Sequence, residues 1–414
     1  MPDVAALDLP VLDPTDPALR GERFHRMLAD VAARTWLART DLGYVVLERE
    51  AAMAFLGDRR LAFPSVQILE LQGVHDGPVY ERTRDGLMAK SGSEHSRLRR
   101  LVTPAFTPKA TDRLRPRIRE MLEELWSRVG DAGETEFVDD FARRLPSMVI
   151  AELLGLPGQA ERLADWSDAL QGVFKLTAAQ HRQETEAAYL EVYSYVAELV
   201  AERRVRPGED LVSTLATITA EGDRLTDDEC VSLITSVIAG GTDTTQAQLA
   251  HGMRLFAEHR DQWERLRADI ALAPRAANEV LRFEPITPFT ARLVVEEMHY
   301  RDVTFPRDTV VFVCSATANR DASAFDAPDR FDITADRQNT PILTFGYGGH
   351  YCLGANLARA ELAETFAFLA PRMLDLELRE PPVFGPPTGI YTMESVPLRF
   401  RPGDEHPTHT EGVT

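Results

Sequence analysis

The segment FGYGGHYCLG, from Phe345 to Gly354, contains residue types that suit the binding of a metal through sulfur. It holds four glycines, one histidine and one of only three cysteines in the 414-residue chain. Glycine makes no side-chain contacts and costs backbone entropy, so four glycines in ten residues need a structural reason. A loop of nearly bare backbone lets amide N–H groups approach a sulfur anion, and a following helix N-terminus adds a positive dipole end. The pattern therefore favours Cys352 as a thiolate ligand.

Several other interpretations of this segment compete with thiolate ligation. A phosphate-binding loop requires G-K-[ST], which does not follow here. A dinucleotide-binding fingerprint requires G-x-G-x-x-G; Gly346 and Gly348 fit it, but Tyr351 occupies the third glycine position. A nucleophilic cysteine would need His350 beside it, yet side chains two residues apart point away from each other in an extended loop. A structural turn around a core thiol is the commonest alternative, and it stays open.

Haem ligation by the Cys352 thiolate accounts for all of these features together. Glycines let the backbone lie close under a flat macrocycle and let amides reach the sulfur. Phe345 can then pack against the ring or cover the sulfur, and His350 is placed to donate to a haem propionate. Covalent attachment of a c-type haem is excluded because the chain contains no C-x-x-C-H.

The segment also resembles the haem-binding signature of the cytochrome P-450 family, F-G-x-G-x-H-x-C-x-G, and matches every fixed position. The resemblance covers nearly the whole chain, from about Gly43 to Phe400. It implies a mainly α fold with a minor β region, in which haem b lies between a long central helix and the cysteine-ligand loop. It makes Cys352 the iron ligand. Within this segment, the resemblance assigns cofactor binding to Phe345, Gly346, His350, Cys352 and Gly354.

The segment AGGTDTT, from Ala239 to Thr245, interrupts an apolar helical pattern. Each of its two glycines costs roughly 1 kcal/mol relative to alanine inside a helix. Close helix packing explains the glycines but does not explain Asp243 and Thr244 in apolar surroundings. The resemblance implies that Thr244 hydrogen-bonds the iron-bound oxygen or its water and that Asp243 relays protons from solvent. A Thr244 hydroxyl bonded back to the preceding helical turn is the alternative.

Two further motifs are expected to contact the cofactor. His95 and Arg99, in EHSRLRR, are four residues apart and therefore share one helix face. A solvated basic face is the alternative. The cytochrome P-450 family has H-x-x-x-R at this place, so the resemblance implies that both side chains bind haem propionates. It gives Arg292, in FTARLVV, the same role.

Glu279 and Arg282, in NEVLRF, lie three residues apart on one helix face. A lone E-x-x-R is usually a surface ion pair worth less than about 1 kcal/mol. The motif falls between the central helix and the cysteine loop, which is its order in the family. The resemblance therefore implies a buried structural pair, and we expect Arg330, in PDRF, to be its third member.

The elements that must position these residues are mostly helical. We expect a short strand over Gly43 to Glu50, a helix over Ala51 to Leu56, and helices from about Ser93 to about His259. The central helix has a capping-box pattern at Thr226 and Glu229 and should continue to about His259. Strands and turns follow Phe283, and a last helix begins at about Leu353. We predict one domain over residues 1–414, with flexible tails at about 1–20 and 402–414.

Composition limits the classes of partner. The chain has 46 Lys and Arg against 65 Asp and Glu, a net charge of −19, so we expect no binding of nucleic acid or anionic membrane by the protein as a whole. There is no apolar run long enough to span a bilayer and no signal-peptide pattern at the start. Three scattered cysteines without C-x-x-C indicate a reducing compartment, so we expect a cytoplasmic protein.

One stretch inverts this charge. Residues 97–119 contain eight basic residues and a single acid. A solvated helix face is one interpretation. Charge complementarity steers the encounter of electron-transfer partners, which makes the stretch a predicted docking site for an acidic ferredoxin or flavodoxin. We otherwise expect a monomer. The residues proposed for this partner site are Arg97, Arg100, Lys109 and Arg113.

The resemblance implies a haem-thiolate monooxygenase that inserts one atom of O2 into a mostly apolar small organic substrate, by hydroxylation or epoxidation. Electrons would come from NAD(P)H through a ferredoxin-type partner, and Asp243 and Thr244 would be the catalytic residues. A peroxide-driven haem oxygenase and a non-catalytic haem-based ligand-binding protein are the alternatives. By analogy with the family, five apolar residues are expected to line the substrate pocket: Val237, Ile238, Ile286, Phe289 and Ile390.

Overall fold

Apolar residues at helical spacing organise most of the chain into α-helices. The computed structural model describes residues 1–173, 179–220, 222–337 and 339–403. The helices within these ranges are α1 Glu22–Ala32, α2 Arg49–Gly57, α3 Ser65–Glu70, α4 Pro78–Asp85, α5 Gly92–Val102, α6 Pro108–Asp112, α7 Arg115–Val129, α8 Arg144–Leu153, α9 Ala160–Gln171, α10 Arg182–Val205, α11 Leu211–Thr217, α12 Asp227–Gly241, α13 Asp243–Glu258, α14 Arg260–Ala268, α15 Ala273–Phe283, α16 Ser315–Ala318 and α17 Ala355–Leu369.

The β structure is a minor part of the fold. Its strands are β1 Leu37–Thr40, β2 Gly43–Val46, β3 Leu61–Ala62, β4 Glu134–Glu136, β5 Thr219–Ala220, β6 Asp223–Arg224, β7 Phe289–Val294, β8 Met298–Tyr300, β9 Val303–Phe305, β10 Val310–Cys314, β11 Met373–Leu378, β12 Val383–Phe384, β13 Met393–Ser395 and β14 Pro397–Pro402. The largest sheet has the order β1-β2-β10-β7-β3, and a second sheet has the order β11-β14-β4. Three strand pairs, β5-β6, β8-β9 and β12-β13, complete the β structure of the described residues.

The valine-rich strand β10 occupies the middle of the largest sheet. It pairs parallel to β2, with Val311 opposite Tyr44, and antiparallel to β7, where Val311 also faces Arg292. β-Branched residues suit such a partly or fully covered strand. This register fixes the place of Arg292, because its strand neighbours are set by the pairing.

The main hydrophobic core is built by helices that surround the central pair α12 and α13. Phe256 of α13 contacts three other rings, with centroid distances of 5.0 Å to Trp263, 5.6 Å to Phe331 and 5.1 Å to Phe366 of α17. Such offset aromatic contacts add to the stabilisation from apolar burial. The helix that follows the cysteine loop is thereby packed directly against the central helix.

The central helix is divided, where the sequence predicted one continuous helix. The predicted capping box is present, since Thr226 Oγ1 accepts from Glu229 N at 3.2 Å and Glu229 Oε2 accepts from Thr226 N at 2.8 Å. The helix ends at Gly241, and Thr242, with φ −94° and ψ −72°, joins α12 to α13. Two adjacent glycines weaken helix formation at this point, and neighbouring hydroxyls compete for the carbonyls.

The other predicted boundaries shift by a few residues. The predicted strand from Gly43 ends at Val46, because α2 already begins at Arg49. The last helix begins at Ala355, with Gly354 as its N-cap, and not at Leu353. It ends at Leu369, before Pro371.

The N-terminal residues make ordered contacts. Val4 and Leu12 are buried, and Thr304 N donates to Pro2 O at 2.9 Å. A further backbone bridge joins Val11 to Arg39 of β1. These contacts count against the flexible tail predicted over residues 1–20. Most of the tail predicted over 402–414 lies outside the described residues.

Candidate functional site

The cysteine loop is held by its own backbone. Cys352 N donates to Phe345 O at 2.9 Å, and a short 3-10 turn spans Gly348–His350. Gly348 has φ +73°, and a Cβ there would lie 3.1 Å from Gly57 Cα, so glycine lets the loop pack against the end of α2. Gly354 is different, because a Cβ there would meet no protein atom within 4 Å. Packing within the protein therefore does not explain every glycine of the loop.

The Cys352 sulfur receives backbone hydrogen bonds from Gly354 and Ala355, at the start of α17. Burial raises the pKa of this thiol, while these amides and the nearby charges of Arg99 and Arg359 lower it in part. The Cys352 residue has a large solvent-accessible area, although many protein atoms surround its sulfur. The thiol therefore lines a recess in the protein. An anion at this sulfur is supported by amides and by two cations.

The other two cysteines differ from Cys352 in their exposure. Cys230 and Cys314 are buried, as expected for small apolar side chains, and burial raises the pKa of both thiols. Cys230 Sγ donates to Leu215 O at 3.5 Å. Cys352 is therefore the cysteine whose sulfur faces an accessible space.

Four basic side chains converge near the cysteine loop. The rings of His95 and His350 lie 4.2 Å apart, and Arg99 Nη2 donates to Tyr351 O at 2.9 Å. Arg292 is only 3% exposed, and its Nη1 donates to the neighbouring Ala291 carbonyl at 2.9 Å. Within the described parts of the chain, none of these four side chains forms an ion pair with an acid.

The pKa values of this cluster reflect burial and mutual repulsion. Burial lowers the pKa of Arg292 to about 10, with no acid to offset it. Burial, followed by the charges of His95, Arg292 and Arg99, lowers the pKa of His350 to about 4. Burial and then Arg99 also lower the pKa of His95. The cluster is thus arranged to receive an anion that the chain itself does not provide.

These features fit haem. A soft thiolate ligand supported by amides suits iron, and unpaired cationic donors suit the two propionates. A Cβ would meet no protein atom within 4 Å at Gly354, Gly240 or Gly349. Each of these glycines therefore borders space that protein atoms do not fill. The donor set and the bare backbone together match a flat, dianionic cofactor bound through iron.

The junction between α12 and α13 carries polar groups in a mostly apolar part of the fold. A Cβ at Gly241 would lie 2.5 Å from Ile150 Cδ1, so close helix packing explains that glycine, whereas it does not explain Gly240. Asp243 is 5% exposed. Thr244 Oγ1 donates to Gly240 O at 2.5 Å, which is the alternative that the sequence left open. This bond leaves the hydroxyl oxygen able to accept from a further donor.

Of the five predicted pocket residues, the structure brings Ile286 and Ile390 together, and both pack against Ala247 of α13. Val237 is half-buried, three residues before Gly240 on the same helix face. The remaining two have other main contacts. Ile238 is fully buried in the main core, and the Phe289 ring lies 5.9 Å from that of Phe24.

The E-x-x-R pair is buried in the structure, but its third member differs from the prediction. Arg282 Nε and Nη2 donate to the Glu279 carboxylate at 2.8 and 2.9 Å. Arg337 Nη1 completes the group at 2.5 and 2.6 Å from the two carboxylate oxygens. The expectation for Arg330 was wrong, because its side chain is 63% exposed and only its carbonyl accepts from Arg282.

Much of the predicted basic surface is neutralised internally. Arg97 pairs with Asp223 at 2.7 Å and with Glu229 at 2.6 Å. Arg115 and Arg119 both pair with Glu364 of α17. The two predicted partner-site residues that are exposed and have no ion pair within the described ranges are Lys109 and Arg113.

Comparison with known proteins agrees with this site. A family model for Cytochrome P450 matches residues 159–372. Luteothin monooxygenase of Streptomyces thioluteus is 34% identical over 402 residues, which cover 95% of this chain and 96% of that protein. The chain belongs to the cytochrome P450 family. Mycinamicin IV hydroxylase/epoxidase of Micromonospora griseorubida is a further relative, 36% identical over 82% of this P450 and 84% of that protein.

The fold agrees as well. The solved structure of the Bacillus subtilis 168 bacillaene polyketide synthase cytochrome P450 PksS is 27% identical, with a TM-score of 0.85 over 94% of this P450 and 99% of that chain. The predicted mainly α fold, family and enzyme class are thereby confirmed: the protein is a P450 monooxygenase that uses haem. Among the described residues, no helix is long and apolar enough to cross a membrane.

Two residues near the site were missed in the sequence. The Arg359 guanidinium lies 4.6 Å from the Phe345 ring centroid and its charge acts on Cys352. Its position on α17, seven residues after the cysteine, places it two helical turns from the sulfur, and this spacing was the available signal. Arg337 has no such local signal, because it reaches Glu279 across 58 positions of sequence.

Proposed function

We propose that Cys352 ligates the haem iron of this P450 and that His95, Arg99, Arg292 and His350 bind the propionates. The observation that carries the proposal is the group of four basic side chains without an acid beside a sulfur that accepts two backbone hydrogen bonds. Burying a cation without a counter-charge is costly, so such a group is retained where a ligand supplies the charge.

The haem, when bound, supplies the iron at which O2 is activated for transfer of one oxygen atom to substrate. The amides of Gly354 and Ala355 stabilise negative charge on the Cys352 sulfur. Cleavage of the O–O bond releases one oxygen as water and therefore consumes protons, which an apolar pocket does not provide. Asp243 and Thr244 are protic groups at the start of α13, and we assign them the delivery of these protons.

The substrate is a mostly apolar organic molecule that lies against Ile286, Ile390 and Ala247. These side chains offer no hydrogen bond, so they favour substrates by shape and apolar area. The reaction is hydroxylation or epoxidation, which similarity to mycinamicin IV hydroxylase/epoxidase supports. Val237, on the face of α12 that also carries Gly240, forms a second part of the wall.

Electrons come from NAD(P)H through an acidic ferredoxin or flavodoxin that docks near α6. Lys109 and Arg113 are exposed there, and α6 packs against α17, the helix that follows the cysteine loop. Arg97 is engaged by Asp223 and Glu229, and Arg100 of α5 also lies 3.8 Å from Asp223, so both contribute less to this surface. We assign the enzyme to the cytoplasm, as a monomer.

Replacement of Thr244 tests the proton-delivery assignment. A substrate is first found by titration of the purified enzyme against a compound panel, and turnover is then measured with NADPH, a ferredoxin and its reductase. In Thr244→Ala, we expect NADPH oxidation to continue while product formed per NADPH falls roughly tenfold or more and hydrogen peroxide rises.

Thr242→Ala is the matched control, because Thr242 Oγ1 also donates to the carbonyl four residues earlier, that of Ile238 at 3.3 Å. Thr242→Ala should keep the wild-type ratio of product to NADPH. Equal ratios in both variants would refute the role of Thr244. Full turnover with hydrogen peroxide alone, and none with NADPH, would favour the peroxide-driven alternative.

A further inference from the structure

A buried polar cluster joins four separate parts of the chain behind the predicted pocket. Its members are His25 of α1, His251 and Arg254 of α13, Glu284 directly after α15, and Tyr391 in the C-terminal region. All five are less than 10% exposed. The proposed monooxygenase reaction assigns no role to any of them. Burial of so many polar groups is costly unless each is bonded, so their bonds indicate what the cluster holds.

One half of the cluster anchors Glu284. His25 Nε2 lies 2.7 Å from Glu284 Oε1, and Arg254 Nη2 donates to Glu284 Oε2 at 2.8 Å. Gln248 Nε2 also donates to the Glu284 backbone carbonyl at 3.0 Å. Burial alone would raise the pKa of Glu284, but its interactions with His25 and Arg254 hold it well below its ordinary value. The carboxylate is therefore charged and fixed, two residues before Ile286.

The other half anchors Tyr391. A carbonyl oxygen only accepts hydrogen bonds, so His251 Nε2 carries the hydrogen and donates to Tyr391 O at 2.9 Å. Burial lowers the pKa of His251 to about 4, which keeps the ring neutral. Gly21 N donates to the Tyr391 hydroxyl at 2.7 Å. The backbone next to Ile390 is thus held from two sides.

The two halves meet at the pocket wall. Tyr391 N donates to Ile286 O at 2.7 Å, and this bond joins the loop that carries Ile390 to the loop that carries Ile286. Both isoleucines then pack on Ala247, which lies one helical turn before His251 and one turn after Thr244. Loss of a hydrogen bond in this cluster is expected to shift Ile286 and Ile390, because no other described side chain holds the Glu284 and Tyr391 backbone in place.

We infer that His251 and Glu284 are positioning residues for this P450, which set the selectivity of the pocket by fixing Ile286 and Ile390. Neither residue lines the apolar wall itself. The inference rests on the proposed function in one respect, the assignment of the two isoleucines to the substrate pocket. It adds residues that determine which bulky ligands the pocket accepts.

Azole binding to the haem protein tests the inference without turnover. Clotrimazole is bulky enough to reach the pocket wall, whereas imidazole binds at the iron and is too small to reach it. In His251→Leu, we expect the Kd of clotrimazole, followed by the Soret shift, to rise roughly tenfold, as for the loss of one buried hydrogen bond. The Kd of imidazole should stay within about twofold. His251→Gln, which restores an N–H donor, should recover most of the clotrimazole affinity.

His259→Leu is the matched control, because His259 follows α13 and packs on Phe283 and Phe331 without contacting Tyr391. It should change neither azole. Unchanged clotrimazole binding in His251→Leu, an equal loss for both azoles, or failure of His251→Gln to restore affinity would each overturn the inference. If His251→Leu does not retain haem, His251→Asn, whose amide is too short for the 2.9 Å contact, takes its place with the same expectations.

Failure of the inference and failure of the proposed function are separable. A reduced carbon monoxide complex without the absorption typical of thiolate ligation would refute Cys352 as the ligand. The azole titrations would still report whether His251 controls access of bulky ligands to the iron.

Discussion

Two buried groups of basic side chains in this enzyme differ in how their charge is balanced. Arg282 and Arg337 converge on the Glu279 carboxylate, which accepts from both guanidinium groups and from Asp332 N. Arg292 is buried as well, and it has no acid partner among the residues that the structure describes. The chain therefore provides a counter-charge for one group and omits it for the other.

The difference is the one we expect between a structural group and the group that we propose to bind the propionates. In the Glu279 group, every charge is satisfied within the chain, so the group can link α15 to the segment around Arg337 without any ligand. In the Arg292 group, burial lowers the pKa of the arginine and of two neighbouring histidines, which is an unfavourable arrangement until an anion arrives. The same residue type thus has opposite energetic consequences, and substitutions in the two groups should have opposite effects.

The largest effect is expected for the balanced group. Glu279→Gln removes the carboxylate that Arg282 and Arg337 share and leaves both cations without an acid partner among the described residues. The free energy of unfolding should fall by about 3–5 kcal/mol, the usual cost of breaking a buried ion pair from one side. Urea unfolding, followed by circular dichroism and by haem absorbance, measures this loss.

Arg330→Gln is the control for that measurement. Arg330 is the arginine that the sequence suggested for the Glu279 group, but its side chain is 63% exposed. Its replacement should change the free energy of unfolding by less than about 0.5 kcal/mol. A loss as large as that of Glu279→Gln would contradict the partner assignment made from the structure.

The contrast also shows which features were readable in the sequence. Cys352, the Glu279–Arg282 pair and the capping box at Thr226 depend on spacings of a few residues, which the backbone geometry of a loop or helix fixes. Arg337 depends on how a long connection folds back, and no local pattern encodes that path. Arg330 was predicted as the third member of the Glu279 group because it lies in PDRF, a recognisable motif.

The helix boundary at Thr242 was unpredictable for a different reason. Apolar residues continue at helical spacing on both sides of it, so the periodicity alone indicates one helix. The division depends on bonds such as that from Thr244 Oγ1 to Gly240 O, which exist only once the local geometry is formed. The mainly α fold and its order of motifs were confirmed because they rest on many residues at once, whereas single contacts between distant segments were not.

A smaller effect is expected for the Arg292 group, whose charge the chain does not balance. A substitution there should spare the stability of the apoprotein but weaken haem binding. Arg292→Leu removes a buried cation that has no acid partner in the described part of the chain, so it should not destabilise the apoprotein. It should weaken haem binding by roughly 10- to 100-fold, the usual value of one hydrogen bond to a charged group. The rate of haem transfer to excess apomyoglobin measures the change.

Arg292→Lys is the control, since it keeps the charge and loses the planar donor set. It should lose haem at a rate between those of the wild type and Arg292→Leu. If Arg292→Leu retained haem as well as the wild type does but unfolded more easily, Arg292 would belong with the balanced, structural arginines.

The smallest effect concerns an arginine that is neither paired nor buried. Arg113 caps the end of α6 and is exposed to solvent, so its charge is hydrated and its replacement should cost almost no stability.

The proposed role of Arg113 is to attract an acidic redox partner. Arg113→Glu should therefore slow reduction of the haem by a ferredoxin about two- to tenfold at low ionic strength, and the difference should vanish in high salt because the charges are then screened. Arg307→Glu reverses another exposed charge, which lies 3.8 Å from Asp308 on the turn before β10, and should leave the rate unchanged. Stopped-flow reduction under carbon monoxide distinguishes the two. Equal rates for both variants at low salt would show that exposed charge near α6 does not guide the partner. Residues 97–119 would then have no role in partner docking, whether their arginines are paired or exposed.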